Sequence, residues 1–343
     1  MYSFWKNKKV LITGHTGFKG SWLCLMLIHY GAKVSGISLK PKKNEYLLFQ
    51  KTLLKNNCKN YYINILDQKK VNFIIKKVKP DIIFHLAAQP FVIEGYKDPK
   101  KTYDTNISGT LNILEAIKKN KIKTSIIVTT DKVYKNSEKK KNFVETDELG
   151  GDDPYSSSKH ISEILVKNYN DIYFKNKNIN VVTVRAGNVI GGGDRGKDRL
   201  IPDFFKTKKN LNIRSPQSTR PWQFVLDPLY GYLKLSKYVH NKKLKKNEYS
   251  WNFAPNDKYS KNVKYVITEI NKSFNKKIIF KRNNKIKEKK YLNLNSNKAK
   301  NILKWNCKYN LGNSLEKIIE WEKNYKKGIL QICQNQIKDY LNT

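Results

Sequence analysis

The segment KVLITGHTGFKG at positions 9–20 restricts the fold more than any other. A β-branched apolar run, KVLIT, meets glycines at 14, 17 and 20 and then the helical run SWLCLMLIHY. Gly14 permits a tight turn, Gly17 lets the backbone approach a diphosphate, and Gly20 lets helix and strand pack closely. The helix N-terminus behind them faces the negative charge. The spacing G-x-x-G-x-x-G departs from G-x-G-x-x-G, so the dinucleotide reading rests on the placement between a strand and a helix. Phe18 and Lys19 in the turn, with Ala87 at the end of a later strand, are counted with the cofactor site. The second strand ends in Ser38-Leu39-Lys40 rather than an acidic residue, which leaves NAD and NADP both open. Asp67, after the third strand, is a candidate for the adenine edge and equally for a helix cap.

The same rhythm continues. Strands are expected at 9–13, 33–38, 60–64, 81–87, 124–130 and 180–185, with helices at about 19–30, 67–79, 101–119 and 154–175. Alternating βα units imply an α/β fold, a doubly wound parallel Rossmann sheet with ligands outside the carboxyl ends of its strands. From about 190 the chain turns to loops rich in Gly, Pro, Asp and Arg. We expect a dinucleotide-binding domain over 1–188, a smaller substrate lobe over 189–327 with some segments returning to the main sheet, and a C-terminal tail or helix over 328–343. The lysine-rich runs 135–141 and 281–290 read as exposed loops.

A formal net charge of +40 would by itself suggest a nucleic-acid partner. Only six of the 68 basic residues are arginine, and the lysines spread over the whole length, which reads as a solvated surface rather than a polyanion site. The arginines are then informative. Arg185, Arg195, Arg199, Arg214 and Arg220 fall in one stretch, where planar bidentate donors to phosphate or carboxylate are expected to hold an anionic ligand. The four cysteines lack metal or disulfide spacing and read as reduced thiols, with no metal site expected. No apolar run approaches the roughly 18 residues that a membrane span needs. No leader-like segment precedes VLITG, so a cytoplasmic protein is expected.

Tyr155 and Lys159 stand four apart at the start of a predicted helix, on one face. A cation there stabilises phenolate, as a base for alcohol oxidation requires. Thr130, closing the fifth strand, offers its hydroxyl to the same substrate oxygen.

With the glycine turn in front of them, these residues resemble the extended short-chain dehydrogenase/reductase superfamily, whose members act on nucleotide sugars. Asp131-Lys132, GHTGFKGSWL, HLAAQP (85–90), DPYSSSKH (153–160), VRAGNVIGGGD (184–194), KDRLIPD (197–203) and RPWQFVLDPLYGY (220–232) look like the CDP-glucose 4,6-dehydratase branch. The resemblance implies an NAD-dependent lyase that converts CDP-glucose to CDP-4-dehydro-6-deoxy-glucose and water. In that scheme C4 is oxidised with Tyr155 as base, Lys159 tuning it and Thr130 sharing the hydrogen bond. Lys132 stands where the C5 base is expected and Asp131 protonates the departing C6 hydroxyl, after which hydride returns to C6. Lys132 as a residue that merely orients substrate or Asp131 stays open. The resemblance also assigns Asn188, Arg220 and Arg199 to the diphosphate, Asn106 to the neighbourhood of the active site and Gln89 to the sugar pocket. It implies a homodimer or homotetramer and a product used in deoxysugar and polysaccharide biosynthesis. His85 reads as a packed strand-end residue. Phe224, where histidine is usual, and Asn295, where aspartate is usual, depart from the pattern.

Two other readings share these motifs. One is a nucleotide-sugar 4-epimerase or reductase on the same fold, against which Asp131-Lys132 speaks. The other is a non-catalytic polyanion-binding protein, against which the intact Thr-Tyr-Lys set speaks.

Overall fold

The computed structural model describes residues 1–41, 47–52, 58–137, 141–196, 198–207, 210–213, 215–256, 260–280 and 291–343. The run 281–290, part of the run 135–141, and Arg214 lie outside the described residues; within 135–141, Lys135 pairs with Glu148 and Lys141 with Asp147.

Seven strands form one all-parallel sheet: β1 (Lys9–Thr13), β2 (Lys33–Ser38), β3 (Cys58–Tyr62), β4 (Ile82–His85), β5 (Thr124–Val128), β6 (Asn180–Ala186) and β7 (Ser250–Phe253). Their order is β7-β6-β5-β4-β1-β2-β3. The order reverses at β1, which pairs with β2 on one side and β4 on the other, so a crevice opens at the carboxyl ends of β1 and β4. Successive strand side chains alternate between two cores. Val10, Ile12, Ile82, Phe84, Ile126 and Val182 join one face, while Leu11, Ile83, Ile127 and Val181 join the other. The first core holds α1 (Phe18–His29) and the second α2 (Gln68–Val78), α3 (Gly109–Asn120) and α4 (Pro154–Tyr169). Two later helices, α5 (Leu226–His240) and α6 (Leu311–Asn342), complete the first.

Three sequence expectations change. Six strands were read and a seventh, β7, lies beside β6; its four residues are too few to show a period. The helix expected at 101–119 is interrupted by a π-helical turn, Asp104–Ser108, and the one expected at 154–175 passes into another at Asn170–Phe174. The tail expected from 328 is the second arm of α6. At Gly328 the helix leaves helical geometry and folds back, so that Gln336 Nε2 donates to the Lys317 carbonyl at 2.8 Å and Lys317 pairs with Asp339 at 2.9 Å. All four cysteines are free, and folding brings the Cys24 and Cys58 side chains into hydrogen-bond contact.

Candidate active site

The glycine turn does what its spacing implies. Gly14 has φ +74°, and its N–H donates to the Ile37 carbonyl at 2.8 Å, tying the turn to β2. A Cβ on Gly14 would lie 2.7 Å from the Ala87 nitrogen, and one on Gly20 would lie 2.2 Å from the Gly14 carbonyl oxygen. A Cβ on Gly17 would meet nothing closer than 3.4 Å, so that face of the turn is open. Among the described residues, the N–H groups of Phe18, Lys19 and Gly20 donate to no protein acceptor, whereas Ser21 N–H already closes onto the Gly17 carbonyl. Free helix-end donors beside an open glycine face fit the diphosphate of a dinucleotide. Asp67 caps α2: its Oδ1 accepts the Lys70 N–H at 3.0 Å and its Oδ2 pairs with the Lys70 ammonium at 2.8 Å.

Asp153 starts α4 by accepting the N–H groups of Tyr155 and Ser156 at 2.9 and 3.0 Å, with Pro154 at the first helical position. Tyr155 and Lys159 therefore lie one turn apart, both buried. The Lys159 ammonium donates to the Val128 carbonyl at 3.0 Å, at the end of β5, one residue before Thr129-Thr130. The Thr130 hydroxyl donates to Asp131 Oδ1 at 3.0 Å and stands beside the Tyr155 phenol, whose ionised form it favours. Asp131 Oδ2 is buried with no partner. Burial raises the Asp131 carboxyl above the usual carboxylate range, against Lys132, Thr130, Arg220 and Lys19. The Lys132 side chain is exposed.

Burial pushes the Tyr155 phenol up to about 12, with the Thr130 hydroxyl acting against it. Burial thus outweighs the Thr130 and Arg199 contributions that favour the phenolate. Burial and then Lys19 push Lys159 down to about 8, and burial and then Arg199 do the same to Lys19. The mouth of the crevice is thus crowded with cations, with Asp131 and Asp194 as their opposing charges.

Of the remaining sequence candidates, Arg199 pairs with Asp194 at 2.9 Å and lies over the Phe91 ring, and buried Arg220 faces Asp131. The Asn188 side chain is half-buried with no protein hydrogen-bond partner among the described residues. Gln89 and Asn106 are engaged with each other and with the loop after β4. Asn106 Oδ1 accepts the Gln89 N–H at 2.8 Å, its Nδ2 donates to Ser158 Oγ at 2.9 Å, and Gln89 Nε2 donates to Thr102 Oγ1 at 2.8 Å. The π turn delivers Asn106 into this position, fixing the loop against α4. His85 is packed between Thr13 and Thr110 and held down to about 3 by burial and Lys159.

Two arginines of the basic stretch serve the chain itself. Arg195 forms a bidentate pair with Glu322, at 2.6 and 2.9 Å. Arg185 does the same with Glu163, a residue that sequence reading passed over although it stands one turn beyond Lys159. Phe224 is fully buried against Tyr309, and the Asn295 side chain accepts the Asn297 N–H.

Residues 11–318 match the family model described as GDP-mannose 4,6 dehydratase. The CDP-glucose 4,6-dehydratase of Salmonella typhimurium is 37% identical, the match covering 99% of this chain and 98% of that protein. A dTDP-glucose 4,6-dehydratase from Bacillus anthracis, solved in complex with NAD, superposes with a TM-score of 0.78 over 93% of this chain and 98% of its own, at 23% identity. An epimerase from Methanothermobacter thermautotrophicus gives 0.82 over 96% of both chains at 22% identity. These two structural likenesses establish the Rossmann-type fold.

Proposed function

Since this chain belongs to the GDP-mannose 4,6-dehydratase family, we propose that it is a lyase removing water from CDP-glucose to give CDP-4-dehydro-6-deoxy-glucose. NAD is the cofactor of this reading, supported by the open glycine turn and the free N–H groups of Phe18, Lys19 and Gly20. When bound, NAD supplies the hydride acceptor for sugar C4 and the hydride that ends at C6. The residues do the rest. Tyr155 Oη takes the C4 hydroxyl proton, with Thr130 beside the phenol and the Lys159 charge one turn away. The resulting 4-ketone makes the C5 proton acidic; Lys132 removes it and gives a proton back to C5 when C6 is reduced. Asp131 gives its proton to the departing C6 hydroxyl, which leaves as water. Asn188, Arg199 and Arg220 hold the diphosphate, while Gln89 and Asn106 fix the loop over the sugar.

One observation carries dehydration over epimerisation: Asp131 Oδ2, buried, without a partner and raised by burial, on the carboxyl group whose other oxygen accepts the Thr130 hydroxyl. Oxidation at C4 alone needs no such acid, whereas expelling hydroxide from C6 does. The reading includes a cytoplasmic enzyme, a homodimer or homotetramer, supported by exposed Leu111 and Ile164 on α3 and α4 and by Ile172 just beyond. The test is a panel of CDP-, dTDP-, GDP- and UDP-sugars, read by mass spectrometry for loss of one water and by the alkali-dependent absorbance of a 4-keto sugar. CDP-glucose is expected to react fastest; turnover confined to another nucleotide, or a product of unchanged mass, would overturn it.

A further inference from the structure

Glu163 is a carboxylate buried one helical turn beyond Lys159, and each of its oxygens receives two donors. Oε1 accepts Thr129 Oγ1 at 2.5 Å and Arg185 Nε at 2.9 Å, and Oε2 accepts Thr183 Oγ1 at 2.5 Å and Arg185 Nη2 at 2.9 Å. The donors come from the residue after β5 and from β6, and tie α4 to both. Arg185 Nη1 carries the network on to Tyr134 Oη at 2.7 Å, and that phenol donates to Asn252 Oδ1 of β7 at 2.8 Å. Tyr134 ends the short turn that holds Asp131 and Lys132. An enclosed ion pair is poor evidence for stability, because apolar residues of similar volume often serve as well. Its position among the reacting side chains is what calls for an explanation.

We propose that Glu163 is a positioning residue: held by Arg185, Thr129 and Thr183, it is the fixed negative charge that keeps Lys159 an ammonium and registers α4 against β5 and β6. The inference rests on the dehydratase reading above. The titratable groups facing Lys159 are Lys19 from α1, His85 from β4 and Glu163 from its own helix, while β5 contributes only the Val128 carbonyl. Glu163 is faced by Arg185 of β6 and by His160 and Lys159 of α4. Lys19 repels Lys159 and His85 is held neutral, so Glu163 is the one carboxylate among these facing groups that opposes the loss of the Lys159 proton.

The experiment compares wild type, Glu163→Gln and Thr183→Val. The pH dependence of kcat/KM for CDP-glucose at saturating NAD is one readout. The other, in cofactor-free protein, is the pH dependence of Lys159 acetylation by acetic anhydride, followed by mass spectrometry of its peptide. In Glu163→Gln both the alkaline limb of activity and the acetylation midpoint should move to lower pH by about one unit, a tenfold change in the proton equilibrium. Thr183→Val keeps the charge, so it should lower the thermal midpoint and leave both curves in place. If Glu163→Gln does not fold, Glu163→Asp, which withdraws the charge by one methylene, should move both curves the same way by less. Folded carboxylate variants with wild-type curves would overturn the proposal. A wild type inactive on CDP-glucose, with the acetylation midpoint still shifted in Glu163→Gln, would instead count against the dehydratase reading alone.

Discussion

At the scale of single residues, the reacting groups divide by how far their partners lie along the chain. Tyr155 and Lys159 share a helix, and Thr130 and Asp131 follow one strand, so local spacing revealed them. For Asp131, Asp131→Asn should reduce kcat about 10²- to 10³-fold with little change in KM, because the acid acts only as the C6 hydroxyl leaves. Exchange of the C5 proton with solvent deuterium should persist in that variant, and its loss would assign Asp131 an earlier role. Lys132→Ala gives the complementary outcome: C5 exchange should fall about 10²-fold, and a normal rate would transfer the proton to another group. What the sequence could not display was the use of the arginines. Arg185 and Arg195 are bidentate donors, but to Glu163 and Glu322 of the same chain rather than to the anionic ligand expected of that stretch. Those pairings exist only once β6 lies beside α4 and α6 folds over the loop at 195.

At the scale of elements, the first strand-turn-helix unit was legible almost atom for atom, because its constraints are steric and local. Two alanine substitutions separate its functions. Gly20→Ala sets a Cβ against the Gly14 carbonyl and should destabilise the fold by about 1–3 kcal/mol, read as a lowered midpoint of thermal unfolding. Gly17→Ala meets ordinary contact distances inside the protein, so its unfolding midpoint should match wild type. Its methyl group projects into the space outside the turn, however, and NAD affinity by calorimetry should fall tenfold or more. Undiminished affinity would remove the diphosphate from this turn. The π turn at Asp104–Ser108 was not legible, since DTNIS carries ordinary helical periodicity. Its cause is tertiary: the Asn106 carbonyl accepts the hydroxyls of Thr110 and Ser162 while its amide clamps Gln89 and Ser158.

At the scale of the whole molecule, the doubly wound sheet followed from alternating βα units, whereas β7 and the fold-back of α6 depend on contacts between distant segments. The α6 contact has a pH signature. Asp227 on α5 accepts from Tyr340 Oη and from the Lys308 N–H, both at 2.8 Å, while its Oδ2 is buried without a partner. Burial, opposed chiefly by those hydrogen bonds, raises its carboxyl from 3.8 to about 7. The native state therefore binds the extra proton between those values, and stability contributed by this group falls as pH rises from about 4 to about 7. The thermal midpoint of wild type should drop relative to Asp227→Asn across that window and run parallel to it above. A constant offset throughout would show that Asp227 is ionised in both states. The second arm of α6 places Cys333, Ile337 and Tyr340 in the core that also contains Trp5 and Trp22. These residues leave the ribosome after everything they cover, so a nascent chain halted before residue 329 lacks the Cys333 thiol that accepts the Trp321 indole N–H and leaves this part of the core unfilled.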